Sequence, residues 1–190
     1  MKDIEFMKKY LEENLVKGRY LHTLGVVETA KDLAKRYGVD IKKAEIAALA
    51  HDIAKNLSSE QLLKIIEANN ITLSVDEKNT RELWHSIVGP IVARERFGIV
   101  DEEILSAIRW HTTGKENMSK LDKIIYLADM IEPSRDFSMV EELRNDSKDD
   151  LDKAMLNALT YTIKYLLEKG CLIDVNTVKA RNYLLYNNYK

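Results

Sequence analysis

Apolar residues recur at intervals of three and four positions along most of the 190-residue chain, with charged residues between them. This spacing is typical of amphipathic helices that turn one apolar side toward a core. It predicts a first helix over residues 3–15 and a second over residues 19–37, separated by a break at Gly18 and closed by Gly38. The N-terminal part of the chain is therefore predicted to be helical.

The third predicted helix, over residues 41–55, has a different pattern. It is apolar nearly all round between Ile46 and Ala54, which is typical of a helix buried on every side. Asp40 precedes it and can cap its first turn. Polar caps and capping boxes predict the starts of further helices near Ser58, Asp101, Ser119, Asp149 and Thr177.

Three stretches interrupt the helical pattern. Residues 69–80 are predicted to form a loop, and a polar segment precedes the helix that begins near Asp149. Gly89 and Pro90 lie inside an apolar pattern, where proline removes a helix hydrogen bond and clashes with the preceding turn. We therefore expect a break or kink over residues 85–90, with a histidine at the discontinuity.

The composition agrees with a helical protein. Hydrophobic residues make up 45% of the chain and charged residues 32%, with only 7 glycines and 2 prolines, which is too few for a turn-rich β fold. The predicted fold class is all-α. A chain of this length is most simply one domain, over residues 1–190, with a core of its own.

Charge and cysteine content exclude several classes of function. The 29 basic and 31 acidic residues give a net charge of -2, which provides no broad cationic field for nucleic acid. No apolar run reaches the length of a membrane span, and the N-terminus lacks the apolar region of a signal peptide. Cys171 is the single cysteine, which suits a reducing compartment. We expect a cytoplasmic protein that binds neither nucleic acid nor membrane.

Polar side chains interrupt the apolar helices at a few positions, and these positions hold the candidate chemistry. His51, Asp52 and Lys55 end the buried third helix, and Asp129 interrupts a strongly apolar helix that ends at Pro133. Burying such groups is costly unless a cation or several hydrogen bonds satisfy them. A bound metal ion is the simplest explanation. With the remaining histidines, the candidates are His22, His51, Asp52, His85, His111 and Asp129.

Four of these side chains form a set of two nitrogen and two oxygen ligands. The set is His22, His51, Asp52 and Asp129. Such a set suits iron, manganese, cobalt or zinc and leaves open positions for water. A single histidine beside apolar residues is usually a structural residue, so the prediction depends on the four groups converging.

The surroundings of these residues resemble a known family. The motifs RYLHT, LAHDIAK, WHSIVG, AIRWHTTG and YLADMIEPSRDF occur in this order along the chain. In these motifs the chain resembles the YqeK branch of the HD-domain phosphohydrolases. Proteins of the YqeK branch are symmetrical diadenosine tetraphosphatases. The resemblance runs from about Arg19 to the last helix. It implies an all-helical HD-domain bundle with a metal- and nucleotide-binding core over about residues 19–135, on which helices of residues 149–190 pack. It also implies iron as the commonly bound metal and cleavage of diadenosine tetraphosphate into two ADP.

The resemblance also assigns roles to single residues. It implies four metal ligands, which are His22, His51, Asp52 and Asp129. His85 and His111 match positions that face the phosphates or hold a second metal ion, and the sequence leaves both roles open. Lys55, one helical turn beyond His51, resembles a phosphate contact. The predicted catalytic residues are accordingly Asp52, Lys55, His85 and His111.

Substrate contacts are implied at further places. Arg135 resembles a phosphate contact, and Arg19 and Thr112 belong to the same motifs. A loop after Gly170 resembles a segment that closes over the nucleotide, although the proline of the family pattern near Val175 is absent here. Beyond the catalytic residues, the predicted substrate contacts are Arg19, His22, Thr112, Asp129, Arg135, Leu172, Ile173, Asp174, Val175, Asn176 and Thr177.

Three other interpretations stay open from the sequence. Another HD-type nucleotide hydrolase would act on a deoxynucleoside triphosphate, a cyclic dinucleotide or a guanosine alarmone. A regulatory module would bind nucleotide without turnover. A helical scaffold would keep all its histidines in the core, but it would have to explain Asp52 and Asp129 separately. Exposed-looking apolar positions in the first and last helices also permit a homodimer.

Overall fold

The computed structural model describes residues 1–188; the last two residues of the predicted domain, 189 and 190, lie outside this range. The described residues form α-helices, one 3-10 turn (Arg81–Leu83) and no strand, so the predicted all-α fold is confirmed. The helices are α1 (Ile4–Asn14), α2 (Lys17–Tyr37), α3 (Ile41–Ala50), α4 (Ser59–Ala68), α5 (Val75–Asn79), α6 (Trp84–Phe97), α7 (Glu102–Trp110), α8 (Lys120–Ile131), α9 (Val140–Asp149), α10 (Leu151–Glu168) and α11 (Val175–Asn188).

Two helices, α3 and α8, lie at the centre of the bundle. α3 packs against α1, α2, α7 and α8, and α8 also packs against α2, α7, α9 and α10. The small side chains of α3 let these neighbours come close, since Ala44, Ala47, Ala48 and Ala50 are fully buried. The helix predicted to be buried on every side is therefore central, and each central helix carries candidate ligands at or near its C-terminus.

Local capping residues determine where several helices begin. The side chain of Asp40 accepts hydrogen bonds from two backbone N–H groups in the first turn of α3. Ser58 and Ser119 each form a capping box with the residue three positions later. Asp101 accepts in the same way from the first turn of α7. The predicted starts of these four helices are confirmed.

The break expected near Pro90 is wrong. α6 runs without interruption from Trp84 to Phe97, with Pro90 inside it. An internal proline costs a helix about 3 kcal/mol or more, but α6 buries nearly all of residues 84–93, which offsets this cost. The discontinuity lies instead at the 3-10 turn directly before α6, so His85 lies in the first turn of the helix.

The break expected at Gly18 is also wrong, because Gly18 lies in the first turn of α2. The chain changes direction earlier, at Leu15 and Val16, whose backbones are extended. Glycine weakens a helix by only about 0.5–1 kcal/mol, which the packing of α2 on α3 and α8 outweighs. The last helix likewise begins at Val175, two residues before the predicted Thr177.

Two helices lie where the sequence predicted a loop and a polar segment. α5 occupies part of residues 69–80 and begins with a capping box between Ser74 and Glu77. α9 lies in the polar segment and buries Val140 and Leu143. Both helices carry few apolar residues, so their helical periodicity is too weak to be recognised in the sequence.

The C-terminal helices α10 and α11 pack against each other, and α10 also packs on α8 and α9. This packing connects the C-terminal part of the chain to the central helix that carries Asp129. In the part of the chain that the structure describes, every helix is too short or too polar to cross a membrane.

Candidate metal centre

The four histidine side chains form a row in the interior of the protein. Ring centroids are 5.6 Å apart for His22 and His51, 5.1 Å for His51 and His111, and 5.2 Å for His111 and His85. All four are buried, with at most 8% of any one exposed. They are positioned by α2, α3, α7 and α6, so residues that are far apart in the sequence meet at one place.

Three of the histidines lie at helix ends and are oriented by the backbone that directly precedes them. In His51, His85 and His111, Nδ1 lies 2.6–2.7 Å from the backbone carbonyl oxygen of the residue three positions earlier. A carbonyl oxygen only accepts hydrogen bonds, so Nδ1 carries the proton and donates it. Nε2 of each ring then keeps a lone pair that can bind a cation.

His22 lies inside α2 and is oriented by a side chain instead. Its Nδ1 lies 3.0 Å from Oε1 of Glu132, a buried residue that directly follows α8. Glu132 comes this close because Gly25, one turn after His22, has no side chain; a Cβ there would lie 2.7 Å from Oε2 of Glu132. The backbone N–H and the hydroxyl of Ser134 donate to the same carboxylate. Nε2 of His22 is thereby directed to the row.

The first ligand group consists of His22, His51 and Asp129, whose donor atoms lie within 4.8 Å of one another. His22 Nε2 lies 3.0 Å from Oδ1 of Asp129, yet Nε2 of His22 and Nε2 of His51 form no hydrogen bond with any described residue. Buried nitrogen lone pairs beside a carboxylate are costly unless a cation binds them. These unpartnered atoms and their donor types fit a divalent metal ion.

The second ligand group consists of Asp52, His85 and His111. Oδ1 of Asp52 lies 3.2 Å from Nε2 of His85 and 3.6 Å from Nε2 of His111, and the two nitrogens are 3.2 Å apart. Because both Nδ1 atoms donate elsewhere, two lone pairs face each other when the rings are neutral. A cation stabilises this arrangement, and the Lys55 ammonium group lies 3.3 Å from Nε2 of His85. Oδ2 of Asp52 lies 3.5 Å from Nε2 of His51. Asp52 therefore joins the two groups, with one oxygen toward each.

Two arginines border the ligand groups. Arg19 donates to Oδ2 of Asp52 at 2.9 Å. Arg135 donates to both the carboxylate and the backbone carbonyl of Asp129. The side chains of Arg19 and Arg135 are 30% and 37% exposed, so both guanidinium groups also reach solvent. The structure brings these two predicted substrate contacts to the edge of the candidate centre.

Burial and neighbouring charges determine the ionisation of the site. Burial lowers the pKa of His51 to about 4, so its ring is neutral at pH 7 and can bind a cation. Burial would raise the pKa of Asp129, but the contact with His22 and the guanidinium group of Arg135 hold the pKa of this carboxyl well below its usual range. Lys55 Nζ lies 3.3 Å from Nε2 of His85, and burial lowers the pKa of Lys55.

A cleft of about 460 Å³ is lined in part by Leu83 and Thr112, which are close in the chain to His85 and His111 of the second ligand group. We name it the loop cleft, and its lining includes Leu83, Thr112, Thr162, Leu172, Asp174 and Thr177. Asp174 is 5% exposed, and its Oδ2 has no hydrogen-bond partner among the described residues. The other predicted residues of this loop, Ile173, Val175 and Asn176, lie outside the cleft lining, because successive side chains entering a helix face different directions.

A second cleft, of about 470 Å³, opens beside the first ligand group. We name it the arginine cleft, and its lining includes Arg19, His22, Glu132, Ser134, Arg135 and Phe137. A larger cavity of about 830 Å³ between α2 and α9 contains none of the predicted site residues, and its Arg36 and Arg144 donate to backbone carbonyls. The buried donor atoms therefore locate the site better than cavity size does.

A comparison with known protein families identifies this arrangement. Residues 19–134 match the family described as HD domain, and this range contains the four histidines together with Asp52 and Asp129. The chain belongs to the HD-domain family. In this HD domain, His51 and Asp52 are the adjacent pair after which the family is named, and they lie directly after the central helix α3.

Curated relatives of this HD-domain protein are similar over most of its length. A protein of Bacillus subtilis (strain 168) named "Bis(5'-nucleosyl)-tetraphosphatase, symmetrical" is 40% identical over 175 residues, which are 92% of this chain and 94% of that protein. A protein of Halalkalibacterium halodurans with the same name is 44% identical over 97% of this chain and 96% of that protein. The resemblance to the YqeK branch is thereby confirmed.

A solved structure shares the fold of this HD domain. It is the crystal structure of a "predicted HD superfamily hydrolase involved in NAD metabolism" from Clostridium acetobutylicum. Its TM-score is 0.95 at 44% sequence identity, and the match covers 98% of this chain and 99% of that one. The helical arrangement around the HD pair is therefore common to both proteins.

Two residues of the site, Glu132 and Phe137, were missed by the sequence reasoning. Glu132 lies one turn after Asp129 and directly before Pro133, which is a weak signal of a carboxylate near a candidate ligand. Its contact with His22 joins residues 110 positions apart, and spacing along the chain does not reveal such a pairing. Phe137 is the last residue of the motif YLADMIEPSRDF. No helical pattern surrounds it, so its neighbours in the chain do not indicate which way its side chain faces.

Proposed function

We propose that this HD-domain protein is a metal-dependent hydrolase that cleaves diadenosine tetraphosphate symmetrically into two ADP. The curated relatives support this substrate, since two proteins named as symmetrical bis(5'-nucleosyl)-tetraphosphatases align with nearly the whole chain. The observation that carries the proposal is the pair of adjoining ligand groups that share Asp52 and are bordered by Arg19 and Arg135. A buried cation site beside guanidinium groups suits a polyphosphate chain.

The donor atoms support a divalent metal as the cofactor. The proposed ligands are His22, His51, Asp52 and Asp129, while His85 and His111 hold a second ion or contact the phosphates. The family resemblance favours iron, and the same imidazole and carboxylate donors also suit manganese, cobalt or zinc. When bound, the metal is a Lewis acid that polarises a phosphoryl oxygen and makes water a better nucleophile at neutral pH.

The protein's own side chains supply positive charge and orientation. Hydrolysis of a phosphoric anhydride is hindered by the negative oxygens around phosphorus. Arg19, Arg135 and Lys55 bring positive charge to these oxygens, and the two arginines are held in place by carboxylates. In the proposed reaction the water oxygen joins one of the two central phosphorus atoms, and the bridging oxygen leaves with the other half. Asp52 orients that water.

The loop cleft supports the binding of one nucleoside. Leu172 gives it an apolar wall, and Thr112 lies next to the second ligand group. The unpartnered Oδ2 of Asp174 is suited to accept a hydrogen bond from an exocyclic amino group of a purine. The first ADP half is therefore proposed to lie with its base in the loop cleft and its phosphates on the ligand groups.

The proposal also covers the cellular compartment and the oligomeric state of the protein. We place the protein in the cytoplasm, in keeping with its single, exposed cysteine, Cys171. A homodimer that uses exposed apolar residues of α1 and α11, such as Phe6 and Val178, stays a prediction.

Hydrolysis of diadenosine tetraphosphate tests the proposal. Protein loaded with iron(II) without oxygen, and in parallel with manganese or cobalt, is incubated with the substrate, and the products are separated by chromatography. We expect ADP as the sole nucleotide product, and no product when a chelator removes the metal. Asp52→Asn takes a negative charge from both ligand groups, so it should lower kcat at least about 100-fold while the protein stays folded.

Asp32→Asn is the matched control, because Asp32 is exposed on α2 and lies outside both ligand groups. It should keep wild-type turnover and thermal stability. Near-normal turnover by Asp52→Asn would contradict the proposal, and so would a preference for a deoxynucleoside triphosphate, a cyclic dinucleotide or a guanosine alarmone. Tight nucleotide binding with no product would favour a regulatory module instead.

A further inference from the structure

We propose that the arginine cleft binds the second nucleoside diphosphate half of the substrate, with its purine base stacked on Phe137. This inference rests on the proposed function, because it requires a substrate with two nucleoside halves. It assigns a ligand to a cleft whose aromatic wall has no role in metal binding.

Symmetrical cleavage places one nucleoside diphosphate half on each side of the reacting phosphorus. The bond that breaks is the central one of the tetraphosphate, so each half leaves with two phosphates and one nucleoside. The two halves are identical, so a cleft that suits one is matched by a second cleft of similar volume. The loop cleft and the arginine cleft measure about 460 Å³ and about 470 Å³.

The two clefts lie at the two ends of the histidine row. His22 is at one end and lines the arginine cleft. His85 is at the other end, where Leu83 and Thr112 line the loop cleft. A tetraphosphate that lies along the row therefore has an opening at each end for a nucleoside.

Two arginines give the arginine cleft hydrogen-bond donors and positive charge for binding phosphate. Arg19 donates to Asp52, Arg135 donates to Asp129, and both side chains line the cleft. A guanidinium group has five N–H donors, so each arginine keeps donors for phosphate oxygens after it has bound its carboxylate. Because the carboxylates already hold these side chains, little conformational freedom is lost when phosphate binds.

Phe137 gives the same cleft an aromatic wall. Its ring stacks on Tyr161 with centroids 4.9 Å apart and planes at 29°, and Tyr161 stacks on Tyr165 at 6.4 Å and 21°. The half-buried Phe137 ring is therefore supported by a second ring while it lines the cleft. Nucleic acid bases stack readily on such supported rings. Asp136, exposed in the same lining, is placed to accept hydrogen bonds from ribose hydroxyls.

A third cleft is a poorer fit for the second half. It measures about 250 Å³ and is lined by Lys55, Leu57, Arg81 and His85, among others. It offers positive charge for phosphate, but its volume is close to half that of the other two clefts. A substitution at Leu57 tests this competing location.

Steady-state kinetics with diadenosine tetraphosphate tests the inference on metal-loaded protein. Phe137→Ala should raise KM about tenfold and change kcat less than about twofold, because stacking holds the base without touching the reacting phosphorus. Phe137→Trp should restore the KM, whereas Leu57→Ala should leave it near the wild-type value. Equilibrium dialysis with ADP should find two ADP bound per wild-type chain and one per Phe137→Ala chain.

Leu63→Ala is the control for loss of an exposed apolar side chain, since Leu63 is 38% exposed on α4 and lies outside the lining of both clefts. Phe137→Leu keeps apolar packing against Tyr161 without the ring, so it should raise KM as Phe137→Ala does even if the alanine variant unfolds. An unchanged KM in folded Phe137 variants, with ADP still produced, would overturn this inference alone, and so would a tenfold rise confined to Leu57→Ala. No ADP from the wild-type protein would overturn the proposed function and this inference together.

Discussion

His22 and the other three histidines of the row are held in place by different means. His51, His85 and His111 each donate from Nδ1 to a backbone carbonyl three positions earlier, whereas His22 donates to the side chain of Glu132, which lies 110 positions later. The last carbonyls of a helix have no partner within it, so His51 and His111, directly after α3 and α7, find their acceptors locally. His85, at the start of α6, finds its acceptor in the preceding 3-10 turn. A histidine inside a helix needs an acceptor that the tertiary structure provides.

The two kinds of support respond to different substitutions. No side-chain replacement removes a backbone carbonyl, so the three helix-end histidines lose their orientation only when a helix moves. The support of His22 is a single side chain, and it can be removed directly or displaced through Gly25. Substitutions at a few positions therefore distinguish histidines held by a nearby backbone carbonyl from the histidine held by a distant side chain.

Removal of Glu132 should have the largest effect on metal binding. Glu132→Ala leaves Nδ1 of His22 without its acceptor, so the ring is free to turn or to change tautomer, and we expect metal affinity to fall about 10- to 100-fold. Glu132→Gln keeps an acceptor oxygen and should lose less. Titration calorimetry with manganese measures the affinity, and the visible spectrum of bound cobalt reports the ligand geometry.

Glu60→Ala is a suitable control for this prediction, because Glu60 is an exposed residue of α4 that pairs with Lys64. It should bind metal as the wild type does. If Glu132→Ala did so too, with an unchanged cobalt spectrum, Glu132 would have no part in orienting His22.

Helix displacement at Gly89 should have the next largest effect, this time on the helix-end histidines. A Cβ on Gly89 in α6 would lie 2.9 Å from Cγ2 of Ile108 in α7. Gly89→Ala should therefore push α6 away from α7, separate His85 from His111, and destabilise the fold by about 1–3 kcal/mol. Chemical denaturation measures the loss.

Gly18→Ala is the matched control, since a Cβ at Gly18 has no described atom within 4 Å. Alanine there should leave stability unchanged or raise it by up to about 1 kcal/mol. Equal stability of the Gly89→Ala and wild-type proteins would mean that α6 and α7 can separate without cost.

Gly25→Ala should have the smallest effect of the three. Its Cβ would lie 2.7 Å from Oε2 of Glu132, which is the end of a flexible side chain and can shift. We expect metal affinity to fall about tenfold, because a shifted Glu132 orients His22 less well than in the wild type but is still present. Folding stability should change little. In a Glu132→Ala background the same substitution should change nothing further, as a double-mutant cycle would show. Additive losses would mean that Gly25 acts through another contact.

Local signals in the sequence predicted much of the fold. The caps at Asp40, Ser58 and Ser119 begin helices as expected, because capping depends on residues within one turn. The expected break at Pro90 was wrong because burial of α6 against its neighbours outweighs the local cost of proline. α9 was missed because only a few of its residues are apolar and buried.

The residues of the candidate site that could be predicted are the polar ones that interrupt apolar helices. His51, Asp52 and Asp129 are conspicuous for that reason, and the structure brings them into one cluster. The division into two ligand groups, the contact of Glu132 with His22 and the wall formed by Phe137 depend on segments that meet only in the folded protein. A single sequence does not show which distant segments come into contact.

Asp52 gives one carboxylate oxygen to each ligand group, 3.5 Å from a nitrogen of His51 and 3.2 Å from a nitrogen of His85. A substitution at this position that adapts one group to a different ion must alter the other group at the same time. Selection for a new metal in one group would therefore be expected to act on the residues that belong to that group alone, such as His22 or His85, and to leave Asp52 unchanged.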